Sequence, residues 1–307
     1  MRRTGIIVAG LLLAAASPLP ADIAAWLYPG ANATPPAGGW NTTEAVSIPG
    51  SALRFTQAQL HDLQIAVDWF PDSHPALHAA VARAPAPGIA ACGFCHLPGG
   101  EGRPENASLA GLDEAYLVAQ GQAFRNGERH GAVPGWLPSD AMTTAAKAAS
   151  EADIRVAAAY FSRMPFASRV KVVEAATVTQ TAAQGFMLVP VAGGAHEPIG
   201  DRIIEIADDH EAFERRDPRV GYTAFVPPGS IARGAAVAER IGCLECHSGM
   251  LGGWGPGRSP SYILRQLHGF GAGVRTNDAA APMREVVAQM TPRDMIDVAA
   301  WYAAQQP

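Results

Sequence analysis

All four cysteines of the chain fall in two short clusters, Cys92-Gly93-Phe94-Cys95-His96 and Cys243-Leu244-Glu245-Cys246-His247. On one helical turn, residues i and i+3 share a face and i+4 lies beside them. Cys92 and Cys95 can therefore each form a thioether to a vinyl group of one haem. His96 then lies under the iron and offers a neutral imidazole nitrogen as ligand. Cys243, Cys246 and His247 repeat the arrangement. The same cysteine spacing also serves thioredoxin-like redox pairs and halves of zinc sites. A redox pair needs no following histidine and usually follows a strand in a βαβ unit. A zinc site built from both clusters would leave a longer repeat unexplained. Two covalently bound haem c groups are the expectation.

That repeat extends well past the cysteines. Gly111, Tyr116, Gln120, Phe124, Gly127 and Arg129 follow the first cluster, and Gly257, Tyr262, Gln266, Phe270, Gly273 and Arg275 follow the second in the same steps. Tyr, Gln and Phe at i, i+4 and i+8 mark one face of a helix, and the glycines end it. A match of this length means a duplicated unit.

The frame resumes at a methionine. Met142 precedes Ser150, Asp153 and Tyr160 by the same intervals at which Met283 precedes Thr291, Asp294 and Trp301. Ser150 and Thr291 have the form of helix N-caps, with Pro292 at a first helical position. Each methionine is then expected in a loop just ahead of the unit's last helix, where its thioether can reach the open face of a histidine-held iron. Such His/Met ligation raises the reduction potential. His130 or His268 could compete as the second ligand, but neither has a histidine counterpart in the other repeat. Met164, Met187, Met250, Met290 and Met295 read as core fillers. His61, His74, His78, His196 and His210 read as surface or capping residues.

The elements around these clusters can be placed coarsely. Met1-Arg2-Arg3 followed by the small and apolar run Gly5 to Ala16 is the pattern of a cleaved secretory signal peptide, ending after about Ala16 or Ala21. The run is too short to span a bilayer, which takes about 20 residues. The mature form is therefore not expected to span the membrane, and export would place it in the periplasm. With 23 basic residues against 28 acidic ones before that cleavage, nucleic-acid binding is not expected. The 307 residues suffice for two small domains, and residues 167–229 do not fit the repeat. Val170 to Val178, Met187 to Val191 and Arg202 to Ile206 read as short strands. A charged stretch from Asp208 to Arg219 follows, as a partner-docking surface or as the solvated tail of a structural strap. A helix is expected to lead into each cluster, the clearer one from Ala235 to Ile241.

With both motifs, both methionines and the repeat in hand, the chain resembles the class IC two-haem cytochromes c. The resemblance implies a mainly α fold of two tandem cytochrome c domains; the irregular, partly β connector read from the residues is longer than the family's usual link, and the N-terminal arm is extra. The expected organisation is signal peptide 1–21, a Pro/Gly-rich N-terminal arm 22–73, domains 74–166 and 230–307, and connector 167–229. Carried over, Cys92 and Cys95 would attach one haem, with His96 and Met142 on its iron. Cys243 and Cys246 would attach the other, with His247 and Met283. Both irons would be six-coordinate, which implies an electron carrier between periplasmic or membrane-bound redox partners, a dehydrogenase or an oxidase. A haem enzyme of two-haem peroxidase or sulfur-oxidising type, or the electron-transfer subunit of a dehydrogenase, is the alternative. Two positions depart from the family pattern. Ala107 stands where family members place a Pro whose carbonyl orients the proximal histidine, and the second unit shortens the stretch from His247 to Gly257.

Overall fold

The computed structural model describes residues 21–31, 43–247 and 255–307. The signal-peptide expectation lies outside the described residues except at Ala21, as does Met250. Helix α1 (Ala21–Leu27) is followed by a small hairpin, β1 (Ala45–Val46) against β2 (Phe55–Thr56), and by α2 (Gln57–Leu60). Ile48, Leu60, Val67 and Trp69 make a small cluster there. The Trp69 indole donates to the Arg215 carbonyl at 2.8 Å, so the arm also docks on the connector.

The first helical unit comprises α3 (Ala79–Ala82), α4 (Cys92–His96), α5 (Glu114–Asn126), α6 (Leu137–Ala148) and α7 (Glu151–Ser162). The helix expected to lead into Cys92 is a single turn. Pro85 and Pro87 explain this, because a proline lacks the N–H and disfavours helix at the residue before it. α5 begins at Asp113, whose side chain accepts from the Tyr116 N–H at 2.8 Å. It ends on Gly127 at φ 75°, a left-handed cap that suits glycine.

The connector holds β3 (Val170–Glu174), β4 (Thr177–Thr179), β5 (Thr181–Gln184), β6 (Met187–Pro190), β7 (His196–Pro198), β8 (Ile204–Ala207), α8 (His210–Glu214) and β9 (Tyr222–Val226). β9 is the centre of a three-stranded sheet, parallel to β3 and antiparallel to β8. The sequence reading missed it, although Tyr222, Ala224 and Val226 alternate inward as a strand requires. The charged stretch is not a solvated tail. Arg216 and Asp217 are buried, and Arg103 of the first unit stacks its guanidinium 3.5 Å from the Phe213 ring centroid.

The second unit repeats the first as α9 (Ser230–Ile241), α10 (Cys243–His247), α11 (Pro260–Gly271), α12 (Ala281–Val287) and α13 (Pro292–Ala304). The duplication reaches the backbone. Gly111 and Gly257 both sit at φ 69°, and each N–H donates to the carbonyl of an aromatic residue on the last helix, Phe161 and Tyr302. Ser150 and Thr291 both close capping boxes with the aspartate three residues on. One hydrophobic cluster joins α1, the connector and the second unit, and another fills the first unit. Among the described residues no helix is long and apolar enough to cross a membrane.

α9 and α13 touch through Gly234. A Cβ there would lie 2.1 Å from the Asp297 carbonyl oxygen and 2.6 Å from Trp301 Cβ. Helix propensity favours alanine over glycine by about 1 kcal/mol, yet backbone cannot yield to so close an approach. Gly234→Ala is expected to destabilise the protein by ~1–3 kcal/mol, read as a lowered denaturant midpoint. A raised midpoint would mean the helices do not cross this closely.

Candidate haem sites

α4 presents its motif toward a cavity of about 500 Å³ that is also walled by α5, α6 and α7. Cys92, Cys95, His96 and Met142 all line it. Met142 does not sit in a loop, as expected, but on α6, and Met283 sits on α12. Both helices carry a proline in the first turn, Pro138 and Pro282, which is a helix-start signal. His130 also lines the cavity, from the exposed loop after α5. His268 lies on α11, where burial pulls its pKa down to about 4.

The His96 ring is oriented by the chain itself. Its Nδ1 donates to the Ala107 carbonyl at 2.8 Å, which leaves Nε2 without a proton to face a metal. Ala107 thus supplies the carbonyl expected of a proline at this position, since a carbonyl does not depend on the side chain. Burial holds the imidazole below its usual range, so it is neutral, as a ligand must be. The ring packs 6.1 Å from Phe161, centroid to centroid, and the His247 ring lies at the same 6.1 Å from Tyr302, the repeat counterpart.

Burial pushes the Cys92 thiol up to about 11 and raises Cys95 as well, and no disulfide joins them. A thioredoxin-like pair needs an accessible thiolate, so this environment fits thioether attachment better. In the second unit Cys243 and Met283 pack against the same hydrophobic cluster. Residues 248–254, which follow His247 in sequence, lie outside the described residues.

The cavity also gathers positive charge. Arg129, Arg265 and Arg275 are all buried and line it. Arg129 donates to Gln120 Oε1 at 2.7 Å, Gln266 Oε1 at 2.6 Å and the Tyr262 hydroxyl at 3.3 Å. Arg275 donates to Gln120 Oε1 at 2.8 Å, and its Nε has no partner. Arg265 donates to the carbonyls of Leu27 and Pro104. Among the described residues none of the three forms an ion pair. The buried Tyr28 hydroxyl, also without a hydrogen-bond partner, lines the same space. Buried cations with only neutral acceptors call for an anion. A haem, with two propionates on an apolar ring, fits this apolar and cationic lining together with the two thiols.

Arg129 and Arg275 also make the seam between the units. They face each other in an antiparallel bridge, with His130 N donating to Val274 O at 3.1 Å and Thr276 N to Glu128 O at 2.7 Å. Gln120, Arg129, Gln266 and Arg275 were visible in sequence as repeat positions. Their reciprocal pairing across the seam was not, and Arg265 carried no signal because Ala119 is its counterpart.

The doubled helical fold, with one Cys-x-x-Cys-His motif in each half, resembles that of two-haem c-type cytochromes with tandem domains. No family model matches the chain. It is 28% identical over 235 residues to the thiosulfate dehydrogenase electron acceptor of Thiomonas intermedia (strain K12), covering 74% of this chain and 83% of that protein. Among solved structures it is similar to the thiosulfate dehydrogenase TsdBA from Marichromatium purpuratum (24% identity, TM-score 0.44), covering 71% of this chain and 37% of that one. It is also similar to cytochrome c4 from Pseudomonas stutzeri (22% identity, TM-score 0.43), covering 70% and 93% respectively.

Gln120 serves both seam arginines at once. Gln120→Leu should cost roughly 2–3 kcal/mol, because two buried cations lose an acceptor. Gln120→Glu, which keeps the oxygen, should lose less. Denaturation of the haem-loaded variants checks this; a neutral Gln120→Leu would remove the seam network as a stabilising element.

Proposed function

We propose that this protein is a periplasmic two-haem electron carrier that accepts electrons from a thiosulfate-oxidising dehydrogenase and passes them to a further redox partner. The observation that carries the reading is the convergence of Cys92, Cys95, His96 and Met142 on one apolar cavity. The repeat extends the same assignment to Cys243, Cys246, His247 and Met283. The dehydrogenase partner rests on the relative, which is named for that role.

A bound c-type haem supplies one-electron Fe(II)/Fe(III) chemistry. The chain's own residues do the rest. Cys92 and Cys95, like Cys243 and Cys246, tether the group, so it cannot leave when oxidation state changes. His96 holds a lone pair toward the metal because the Ala107 carbonyl takes its other proton. Met142, which lines the same cavity, would supply a soft sulfur ligand that favours the reduced state. The buried arginines neutralise carboxylates that the apolar cavity could not otherwise hold. With His96 and Met142 both holding the metal, the site would pass electrons without taking up a substrate.

The test is haem content with optical and magnetic spectra of protein matured with its haems. Two haems per chain, both low-spin with sulfur ligation, are expected. Met142→Ala and Met283→Ala should each convert one haem to a different spin or ligand state and lower its potential. A high-spin ferric fraction in the unaltered protein that binds cyanide or peroxide rapidly would overturn the carrier reading in favour of an enzyme.

A further inference from the structure

The connector places a cation beside one motif and not the other. Arg216 is 6% exposed, although it belongs to a segment rich in solvated charges. Its guanidinium carbon lies 3.6 Å from the centroid of the Phe94 ring, and it donates to the Phe94 carbonyl, inside the Cys92–His96 turn. Its charge is felt by the Cys95 thiol. The backbone pays for this placement: Arg216 sits at φ 61°, a left-handed conformation uncommon for residues other than glycine.

Glu105 and Glu214 offset the cation only in part, because each also serves another group. Arg103 is close by and also positive. Glu105 pairs with Arg103 at 3.2 Å, and Glu214 with His210 at 3.8 Å. His61, which also faces the pair, is kept neutral, its pKa held down to about 4 by burial first and then by both arginines. The local balance beside Cys95 is therefore positive.

In the second unit the corresponding motif position is acidic, and the cation that reaches Cys243, Arg240, is paired with Asp294 at 3.0 Å. Phe94 corresponds in the repeat to Glu245, an exposed carboxylate between Cys243 and Cys246 in sequence. The seam arginines Arg129 and Arg275 are exchanged by the repeat and cannot distinguish the two halves. Arg216 can, because the connector occurs once, and so can Arg265, whose repeat counterpart is Ala119.

We propose that Arg216 is a tuning residue that makes the first site the higher-potential centre, so that electrons enter at Cys243–His247 and leave from Cys92–His96. This rests on the reading of both motifs as haem sites. Reduction adds one negative charge to a centre, and a nearby buried cation stabilises that state while a carboxylate opposes it. In each internal transfer one electron passes from the ferrous second centre to the ferric first one, with no bond made or broken and no proton moved.

Haem count comes first, and fewer than two per chain overturns the reading beneath the proposal and the proposal with it. Potentiometric titration of the two-haem protein, followed optically, then tests the assignment. Met142→Ala marks which wave belongs to the first site, and the upper one is expected. Arg216→Gln should lower that upper wave by about tenfold in the reduction equilibrium, which is 59 mV for one electron, and leave the lower wave in place. Arg216→Lys, which keeps the charge, should hold the upper wave near its original position. Glu245→Gln should raise the lower wave by less than tenfold, because an exposed charge is screened; it also carries the test if Arg216→Gln does not fold. The proposal is overturned if Met142→Ala perturbs the lower wave. It is equally overturned if Arg216→Gln moves neither wave, or if Glu245→Gln moves only the upper one.

Discussion

Arg129 and Arg275 are buried at the seam of two duplicated helical units, and their hydrogen bonds end on two glutamine oxygens and tyrosine hydroxyls. Two guanidiniums so close repel each other and are costly to strip of water. The arrangement is tenable because each glutamine serves both arginines, and because the adjoining cavity can take anionic groups. The rest of the molecule follows from this constraint. The seam sets the units face to face, α11 lends Arg265 to the wall of the first cavity, and Tyr28, just past the end of α1, lines the same space. A cofactor with carboxylates would thus do more than fill volume: it would complete the charge balance of an interface.

The connector holds this geometry from outside. Glu174 of β3 accepts from the N–H groups of Gly229 and Ile231, at the start of α9. Glu205 of β8, buried, accepts from the Ser259 hydroxyl at 2.7 Å and the Ser261 N–H at 3.2 Å, at the start of α11. A carboxylate suits a helix N-terminus, whose first N–H groups lack partners within the helix. On the other side Arg169 reaches the carbonyls of Glu101 and Gly102, in the loop that follows His96. A single inserted segment therefore grips the starts of two helices in one unit and the haem-motif loop of the other. Such a segment does not resemble a loose tether between two independent carriers.

Local chemistry accounts for what could be read directly from the chain. Cys-x-x-Cys-His is a one-turn motif, so its meaning survives without knowledge of the fold. The capping boxes at Ser150 and Thr291 are likewise local, and both are present. The tandem helical organisation was legible because duplication wrote the same helix face twice. Helix ends and backbone positions were less legible. Pro138 and Pro282 signal helix starts, but no local pattern shows that those helices run on through Met142 and Met283.

The sequence by itself determined the two Cys-x-x-Cys-His turns, the helix caps and the doubling of the unit, because each depends on spacings within a turn or on a repeated frame. The tertiary structure decided what surrounds them. The family pattern marked the position of Ala107, but only the fold showed that an alanine there still orients His96, since a carbonyl is common to every residue. β9 was hidden behind a charged run, and Arg216 read as one solvated charge among many until the fold buried it against Phe94. Long-range burial and charge pairing arise from chain segments more than 100 residues apart, as with Arg216 and Phe94, and no local pattern encodes them.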